Sequence, residues 1–231
     1  KKLIVASNIF RLYSTYIIQN KCLYRKDINN YNGPLNKNIL SIIYGSLLGD
    51  GFAEKRKGGK GTRICFYQEG SHTDYLLYLH SLIANLGYCN TKLPKISTRL
   101  GKQGKIRSII RFNTWTYESF NWIYNEWYDN KIKRIPLSLK DYFTPLTLAI
   151  WIMDDGCKSG KGLKLSTNSF KYNELLFLIK LFYDKYDIKV SIVKTGVYNQ
   201  YDLYIWKESI PKLFNLVKPY IIPSMKYKIN I

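Results

Sequence analysis

The sequence predicts an α+β fold built from two similar αββαββα halves. An internal repeat and a recurring order of helix-like and strand-like segments lead to this prediction. In both "IIYGSLLGDG" (Ile42–Gly51) and "LAIWIMDDG" (Leu148–Gly156), an apolar helical run ends in Asp-Gly. Two further pairs of segments match in the same order: Phe66–Leu79 with Leu165–Leu178, and Arg134–Lys140 with Ile221–Lys228. Three matches in one order indicate a true repeat.

Hydrophobic periodicity assigns the elements of the first half. It predicts helices over Asn38–Asp50, Thr73–Leu86 and Tyr117–Tyr128. The second of these ends before Gly87, a suitable residue just beyond a helix C-terminus. Period-two alternation predicts strands over Thr62–Gln68, Thr91–Ser97 and Lys105–Trp115. The Gly- and Lys-rich stretches Glu54–Gly61 and Cys157–Gly162 are predicted to be loops.

The second half repeats this order, with one strand of the pattern left unassigned. Its predicted helices are Leu146–Asp155, Lys171–Tyr186 and Glu208–Val217. Its predicted strands are Gly162–Thr167, Lys189–Lys194 and Tyr201–Trp206. We therefore divide the chain into an N-terminal lead-in at residues 1–37, a first half at 38–135 and a second half at 136–231.

The charge balance points to a polyanionic partner. The 231 residues carry 36 Lys and Arg against 16 Asp and Glu, a formal net charge of +20. Such an excess repels itself unless an anion offsets it, so nucleic acid is the first partner to consider and an anionic membrane surface the second. The apolar runs fall short of the roughly 20 residues that span a bilayer, so no membrane segment is expected.

Cysteine and histidine usage argues against several other kinds of site. The four cysteines are scattered without a CxxC pair, which disfavours a zinc ribbon or a disulfide framework. Only His72 and His80 are present, and both are expected to be ordinary polar residues near a helix. The GxxxxGK[ST] nucleotide-binding pattern is absent. Abundant Lys, Asn, Ile and Tyr with only four Ala suggest an A/T-rich genome, such as a mitochondrial one.

Asp50 and Asp155 each end an apolar helix. A helix C-terminus already carries partial negative charge, so a carboxylate there is unfavourable unless a cation lies beside it. Small residues at Gly45, Ser46 and Gly49 allow the first helix to approach another helix closely. If the two motif helices pack together, their acids and backbone carbonyls form a hard-oxygen site suited to Mg²⁺ or Ca²⁺. The alternative is that each Asp-Gly pair only terminates its helix.

The segments "IYGSLLGDG", "LAIWIMDDG", "STNSF" and "KPYIIPSMKYK" resemble those of LAGLIDADG homing endonucleases, in particular the single-chain type of mitochondrial introns. The resemblance extends from about Asn38 to the C-terminus. It implies a monomer with two antiparallel sheets that form a DNA-binding saddle in the major groove. It also implies Asp50 and Asp155 as the Mg²⁺ ligands, with backbone carbonyls from Gly49 and Asp154. The first motif departs from the family pattern by having glycine at position 49.

The activity implied is site-specific double-strand DNA cleavage at a long target, with Ca²⁺ binding without supporting turnover. By resemblance, Lys133 and Lys228 would offset charge in the transition state, although solvated lysines are the alternative. Gln68 and Glu69, with Thr167 and Asn168 in the second half, would lie at the strand ends nearest the acids. Because these residues differ, the chemistry on the two DNA strands is expected to be unequal.

The strands are expected to present one polar face to DNA, because Arg suits guanine and Asn or Gln suits adenine. The residues expected to face DNA are Arg63, Tyr67, Arg107, Arg111, Asn113, Lys158, Lys164, Lys194 and Tyr204. Two other readings stay open: a maturase that binds intron RNA with the same fold, and a basic structural RNA-binding protein without catalysis.

Overall fold

A computed structural model describes residues 36–101 and 104–229, so the predicted lead-in at 1–37 lies almost wholly outside the described residues. The α-helices are α1 Lys37–Leu48, α2 Thr73–Asn85, α3 Asn121–Trp127, α4 Leu139–Tyr142, α5 Pro145–Asp155, α6 Tyr172–Tyr186 and α7 Ile210–Val217. The strands are β1 Phe52–Lys55, β2 Thr62–Glu69, β3 Ser97–Leu100, β4 Ile106–Asn113, β5 Tyr128–Asp129, β6 Ile132–Lys133, β7 Gly156–Ser159, β8 Gly162–Ser166, β9 Val190–Lys194 and β10 Tyr201–Ile205. In that described part, no helix is long and apolar enough to cross a membrane.

Two four-stranded antiparallel sheets have the same topology. The strand order is β1-β2-β4-β3 in one and β7-β8-β10-β9 in the other. Each sheet belongs to one αββαββα unit, formed by α1 to α3 in the first half and by α5 to α7 in the second. The predicted α+β class and its repeated order are therefore confirmed. The division of the chain at residues 135 and 136 stays a prediction.

Three local predictions about strands are wrong. The first strand of each sheet lies inside or beside a segment predicted to be a loop: β1 starts just after the first Asp-Gly pair, and β7 starts at the glycine of the second. Four-residue strands with Lys or Gly carry too few apolar positions to show an alternation. The strand predicted over Thr91–Ser97 is absent, and β3 begins only at Ser97. Pro94 has no N–H to donate to a sheet, which explains why that segment does not pair.

The two motif helices, α1 and α5, form the centre of the core. Asn36 caps α1 by accepting a hydrogen bond from the Asn38 backbone N–H, and Thr144 caps α5 ahead of Pro145. Almost every residue of both helices is buried. A helix buried on all sides is one that packs between other layers, here between the two halves.

Glycines on α1 permit this close approach. A Cβ at Gly45 would lie 2.7 Å from the Thr147 carbonyl oxygen and 2.9 Å from Ile150 Cβ. A Cβ at Gly49 would lie 2.4 Å from Asp154 Cβ. Ile150 and Asp154 occupy the same positions in the second motif as Gly45 and Gly49 do in the first. Each small residue of α1 therefore packs against the larger residue at the equivalent position of α5.

We expect Gly45→Ala to lower the free energy of unfolding by about 1–3 kcal/mol, because the added methyl overlaps a helix backbone that cannot retreat. Gly59→Ala is a matched control, since its Cβ would meet nothing nearer than 3.3 Å. Chemical denaturation of both variants checks the expectation. Equal stability of Gly45→Ala and the parent would contradict the close helix contact.

Candidate active site

Asp50 and Asp155 lie at the same end of the α1–α5 pair. Asp50 follows Gly49, the residue that caps α1, and is exposed, whereas Asp155 is the last residue of α5 and is half-buried. Burial and the charge of Asp50 raise the pKa of Asp155 to about 7, and the ammonium groups of Lys228 and Lys133 act in the opposite direction. The two motif acids therefore interact, as the repeat predicted.

The neighbouring Asp154 has a buried side chain between the helices. Its Oδ1 accepts a hydrogen bond from Gln68 Nε2 at 3.0 Å, and its Oδ2 lies 3.4 Å from the Asp50 backbone nitrogen, which donates to it. Burial, followed by the charges of Asp50 and Asp155, holds the pKa of Asp154 well above its usual range. Its role therefore extends beyond the backbone carbonyl that the resemblance implied, because its side chain joins the two halves.

Lys133 and Lys228 reach the motif helices from two different segments. Lys133 lies on β6, after a tight β5–β6 turn in which Asn130 and Lys131 both have positive φ. Its Nζ donates to the carbonyl oxygens of Gly49 and Gly51, at 3.2 and 2.8 Å. Lys228, at the end of the 3₁₀ turn Pro223–Lys228, donates to the Asp154 carbonyl oxygen at 2.6 Å.

Burial lowers the pKa of both lysines, while the nearby acids raise it. Each ammonium group stands at carbonyl oxygens of a helix C-terminus, where no intrahelical N–H is available. The structure thus brings both predicted lysines to the acids, one at each motif.

Gln68 also joins the site, but its predicted partners do not. Gln68 Nε2 donates to Asp50 Oδ2 at 2.8 Å. Glu69, the next residue on β2, points to the opposite face of the sheet and pairs with Arg107 at 2.9 Å. In the second half, Thr167 Oγ1 donates to the Tyr201 carbonyl oxygen, and Asn168 is exposed in the turn after β8. Neither Thr167 nor Asn168 has a hydrogen bond to an acid of the site among the described residues.

Most of the predicted DNA-facing residues share the face of each sheet that the helices leave uncovered. Residues opposite each other in a ladder lie on the same face, and Tyr67 pairs with Arg111, and Lys164 with Tyr204. We call these surfaces the open faces; their members from the prediction are Arg63, Tyr67, Arg107, Arg111, Asn113, Lys164 and Tyr204. Three of these cations are paired, Arg63 with Glu54, Arg107 with Glu69 and Lys164 with Asp202.

Lys158 and Lys194 do not lie on the open faces, so the structure does not place them with the other residues expected to face DNA. Lys158 is opposite Leu163, and Lys194 is opposite Tyr201, which alternates with the buried Leu203 and Ile205. Both lysines therefore belong to the side that the helices cover. Lys158 lines a cavity of about 290 Å³ with Leu163 and Phe214. The sequence does not indicate this side, because the short strand β7 has the composition of a loop and because the alternation in β9 does not define its register.

His72 and Tyr227 are site residues that the sequence did not reveal. His72 was expected to be an ordinary polar residue, yet its Nδ1 lies 3.1 Å from Gln68 Oε1 and its Nε2 3.2 Å from the Tyr227 hydroxyl. His80 is buried on α2 and donates from Nε2 to the Asn90 carbonyl oxygen at 2.8 Å, away from the acids. The position of His72, four residues after Gln68 and next to a helix start, was the available signal.

The donor set suits a hard divalent cation. Asp50, Asp155 and the carbonyl oxygens of Gly49 and Asp154 are all oxygen ligands of the type that Mg²⁺ prefers. The lysine ammonium groups that contact these carbonyls show that positive charge is accommodated there. Within residues 36–101 and 104–229, no three His, Cys, Asp or Glu side chains form a metal-binding group by themselves. Backbone and substrate oxygens would have to complete the coordination.

The raised pKa of Asp155 predicts that its ionised carboxylate lowers the free energy of unfolding, so removing this acid should stabilise the protein. Because the folded carboxyl keeps its proton to about pH 7, burying its ionised form reduces stability as pH rises from about 4 to about 7. We expect Asp155→Asn, in EDTA at pH 8, to gain about 1–3 kcal/mol in the free energy of unfolding. The difference should shrink towards pH 4.5. A denaturation series over pH measures it, and a constant difference would contradict the raised pKa.

Comparison with known proteins decides the family. The model of the LAGLIDADG DNA endonuclease family matches residues 40–213, which include both motifs and both sheets. The chain belongs to the LAGLIDADG DNA endonuclease family. The structure of the homing endonuclease I-WcaI bound to its DNA recognition sequence matches this LAGLIDADG chain with a TM-score of 0.78 and 29% identity, over 88% of this chain and 91% of that one. The predicted family and fold are thus confirmed.

Relatives of this LAGLIDADG chain carry two kinds of name. The cytochrome b mRNA maturase bI2 of Saccharomyces cerevisiae is 62% identical over 93% of this chain and 52% of its own length. The maturase bI2 of Debaryomyces hansenii is 57% identical, over 90% and 80%. The intron-encoded endonuclease ai4 of Dictyostelium discoideum is 36% identical, over 63% and 94%. The chain therefore spans about half the length of the Saccharomyces relative.

Proposed function

We propose that the protein is a monomeric, divalent-metal-dependent endonuclease that cuts both strands of a long, specific DNA site. The observation that carries this proposal is the paired arrangement at the ends of α1 and α5. Each motif supplies one terminal acid and one helix-end carbonyl, and a lysine from a later segment of the chain contacts that carbonyl. Paired acids beside two lysines are the groups that metal-dependent hydrolysis of a phosphodiester requires, whereas binding of nucleic acid requires only the positive charge.

In this function, Asp50 and Asp155 with the Gly49 and Asp154 carbonyls would hold Mg²⁺, and Ca²⁺ would bind without turnover. The bound metal supplies a Lewis acid for the phosphate and a more acidic water. Lys133 and Lys228 place positive charge beside the acids, where it can stabilise the charge that develops on a phosphate. Gln68 orients the Asp50 carboxylate through its Nε2 donor.

The open faces supply recognition. Exposed Arg111 and Asn113, with the partly exposed Tyr67 and Tyr204, offer the donors and acceptors that read base edges in a major groove. The DNA-bound state of the similar I-WcaI supports this use of the sheets. The three ion-paired cations on these faces are held in fixed positions by their acidic partners, which favours directed contacts.

A cleavage assay tests the proposal. The protein is incubated with duplexes containing a randomised long site, in Mg²⁺, in Ca²⁺ and in EDTA, and cut ends are sequenced. We expect one preferred sequence to be cut in Mg²⁺ alone. Binding of duplex DNA without cutting in any metal would refute the endonuclease.

A second function is favoured by the relatives named cytochrome b mRNA maturase, at 62 and 57% identity. In that case the chain binds its own intron RNA and assists splicing. A splicing assay with the cognate intron, with and without the protein, tests it. The same relatives and the A/T-type composition support a mitochondrial location.

A further inference from the structure

On the side of the first motif, the site contains a chain of hydrogen bonds. It runs from the Tyr227 hydroxyl to His72, from His72 to Gln68 Oε1, and from Gln68 Nε2 to both Asp50 and Asp154. Tyr227 lies in the C-terminal 3₁₀ turn, next to Lys228, whereas His72 and Gln68 belong to the first half. The chain thus connects the end of the second half to the first motif acid.

Hydrogen-bond chemistry fixes the direction of each contact. The Gln68 amide nitrogen lies 2.8 Å from a carboxylate oxygen of Asp50, so this nitrogen is the donor and Oε1 faces His72. Oε1 can only accept, so His72 Nδ1 must carry a hydrogen. Burial and nearby Lys228 lower the pKa of His72, which favours the neutral ring. In that form Nε2 accepts from the Tyr227 hydroxyl.

Among the described residues, the second half has no equivalent chain. The strand pairings show that Thr167 is the counterpart of Gln68. The second residue after Asp50 pairs with Cys65, three residues before Gln68, and the second residue after Asp155 pairs with Lys164, three residues before Thr167. His72 and Lys171 are likewise the residues directly before α2 and α6. Thr167 is bonded to a strand carbonyl, and exposed Lys171 uses its backbone N–H to donate to Glu174. The repeat therefore has Gln-His in one half and Thr-Lys in the other.

We propose that His72 is a positioning residue, supported by Tyr227, that holds the Gln68 amide towards Asp50 and makes cleavage of one DNA strand depend on it. Without the Nδ1 donor, Gln68 Oε1 loses its hydrogen bond from His72, so the amide is held less firmly and its contact with Asp50 weakens. Cleavage of the DNA strand that depends on Asp50 then slows, while cleavage of the other strand does not. This inference rests on the proposed endonuclease function and specifies how its two strand cuts differ.

The test uses a supercoiled plasmid with the target site, each strand labelled separately. We expect His72→Phe to lower the cleavage rate of one strand by about tenfold or more and that of the other strand by less than threefold, so that nicked plasmid accumulates. Tyr227→Phe, which loses only the hydroxyl, should slow the same strand by about two- to fivefold. His72→Asn restores a donor near the Nδ1 position and should recover most of the rate. Lys171→Ala, at the equivalent place in the second half, should change neither strand.

The outcomes separate this inference from the function on which it rests. If the parent protein cuts no DNA, the endonuclease proposal itself fails. If the parent cuts but His72→Phe slows both strands equally, or His72→Asn gives no recovery, the positioning role is refuted. Thermal unfolding and DNA affinity are measured for every variant. Loss of the fold would lower the cleavage rates of both strands, the unfolding temperature and the DNA affinity together.

Discussion

Replacing either motif acid is expected to abolish linearisation of target DNA. Asp50→Asn and Asp155→Asn keep the size of the side chain but remove a negative oxygen ligand from the metal site. A double-strand break needs both cuts, so the loss of either acid should lower the rate of linear product by on the order of 10³-fold. Single-turnover cleavage in Mg²⁺, with the protein in excess over a labelled target, measures it.

The affinity of these two variants for target DNA should not fall as their cleavage rate does. Each substitution removes one negative charge beside the phosphates, so affinity for the target duplex should stay within about tenfold of the parent or increase. Asp184→Asn is a matched control, because Asp184 is exposed on α6 and pairs with Lys180, away from the motif acids. Full cleavage by Asp50→Asn and Asp155→Asn would show that these acids hold no essential metal.

DNA affinity is expected to depend steeply on salt. A protein that contacts about six to ten phosphates releases a similar number of condensed cations, and its affinity falls roughly 10³- to 10⁵-fold between 50 and 200 mM salt. The net charge of +20 and the cations on the open faces place this chain in that class. Titrations of a labelled duplex at several salt concentrations give the slope of log K against log salt.

Substitutions on the two sides of the sheets refine this expectation. Arg111→Ala, on an open face, should reduce the magnitude of the slope by about one if it contacts phosphate, or relax base preference if it contacts a base. Lys194→Ala, on the side covered by helices, should leave the slope unchanged. A slope near zero for the parent protein would be incompatible with a polycation that follows the DNA backbone.

The sequence predicted the repeat and its acids because those features are local. Asp50 and Asp155 each follow an apolar helical run, and a contiguous pattern of this kind is visible without knowledge of the fold. Most helices and longer strands begin or end within about two residues of their predicted bounds for the same reason. The short strands β1 and β7 were missed, since four residues cannot establish a period.

Side-chain direction was harder to predict than position. Gln68 and Glu69 are neighbours in sequence, yet the pleat sends one into the acid site and the other to Arg107. Lys194 and Lys158 lie on the side of the sheet that the helices cover, which the sequence does not show, because register decides the face and register depends on distant pairing. Tyr227 meets His72 across 155 positions. A contact between residues so far apart in the sequence leaves no pattern in either local segment.

The division of small and large residues between α1 and α5 makes the two halves non-interchangeable. Gly45 accommodates Ile150, and Gly49 accommodates Asp154, each facing its own counterpart in the repeat. Two copies of the second half would set Ile150 against Ile150 and Asp154 against Asp154, which the spacing does not permit. Two copies of the first half would leave voids and lose the buried carboxyl. Descent from a symmetric pair, once followed by such complementary change, is hard to reverse, and each half now requires the other as its partner.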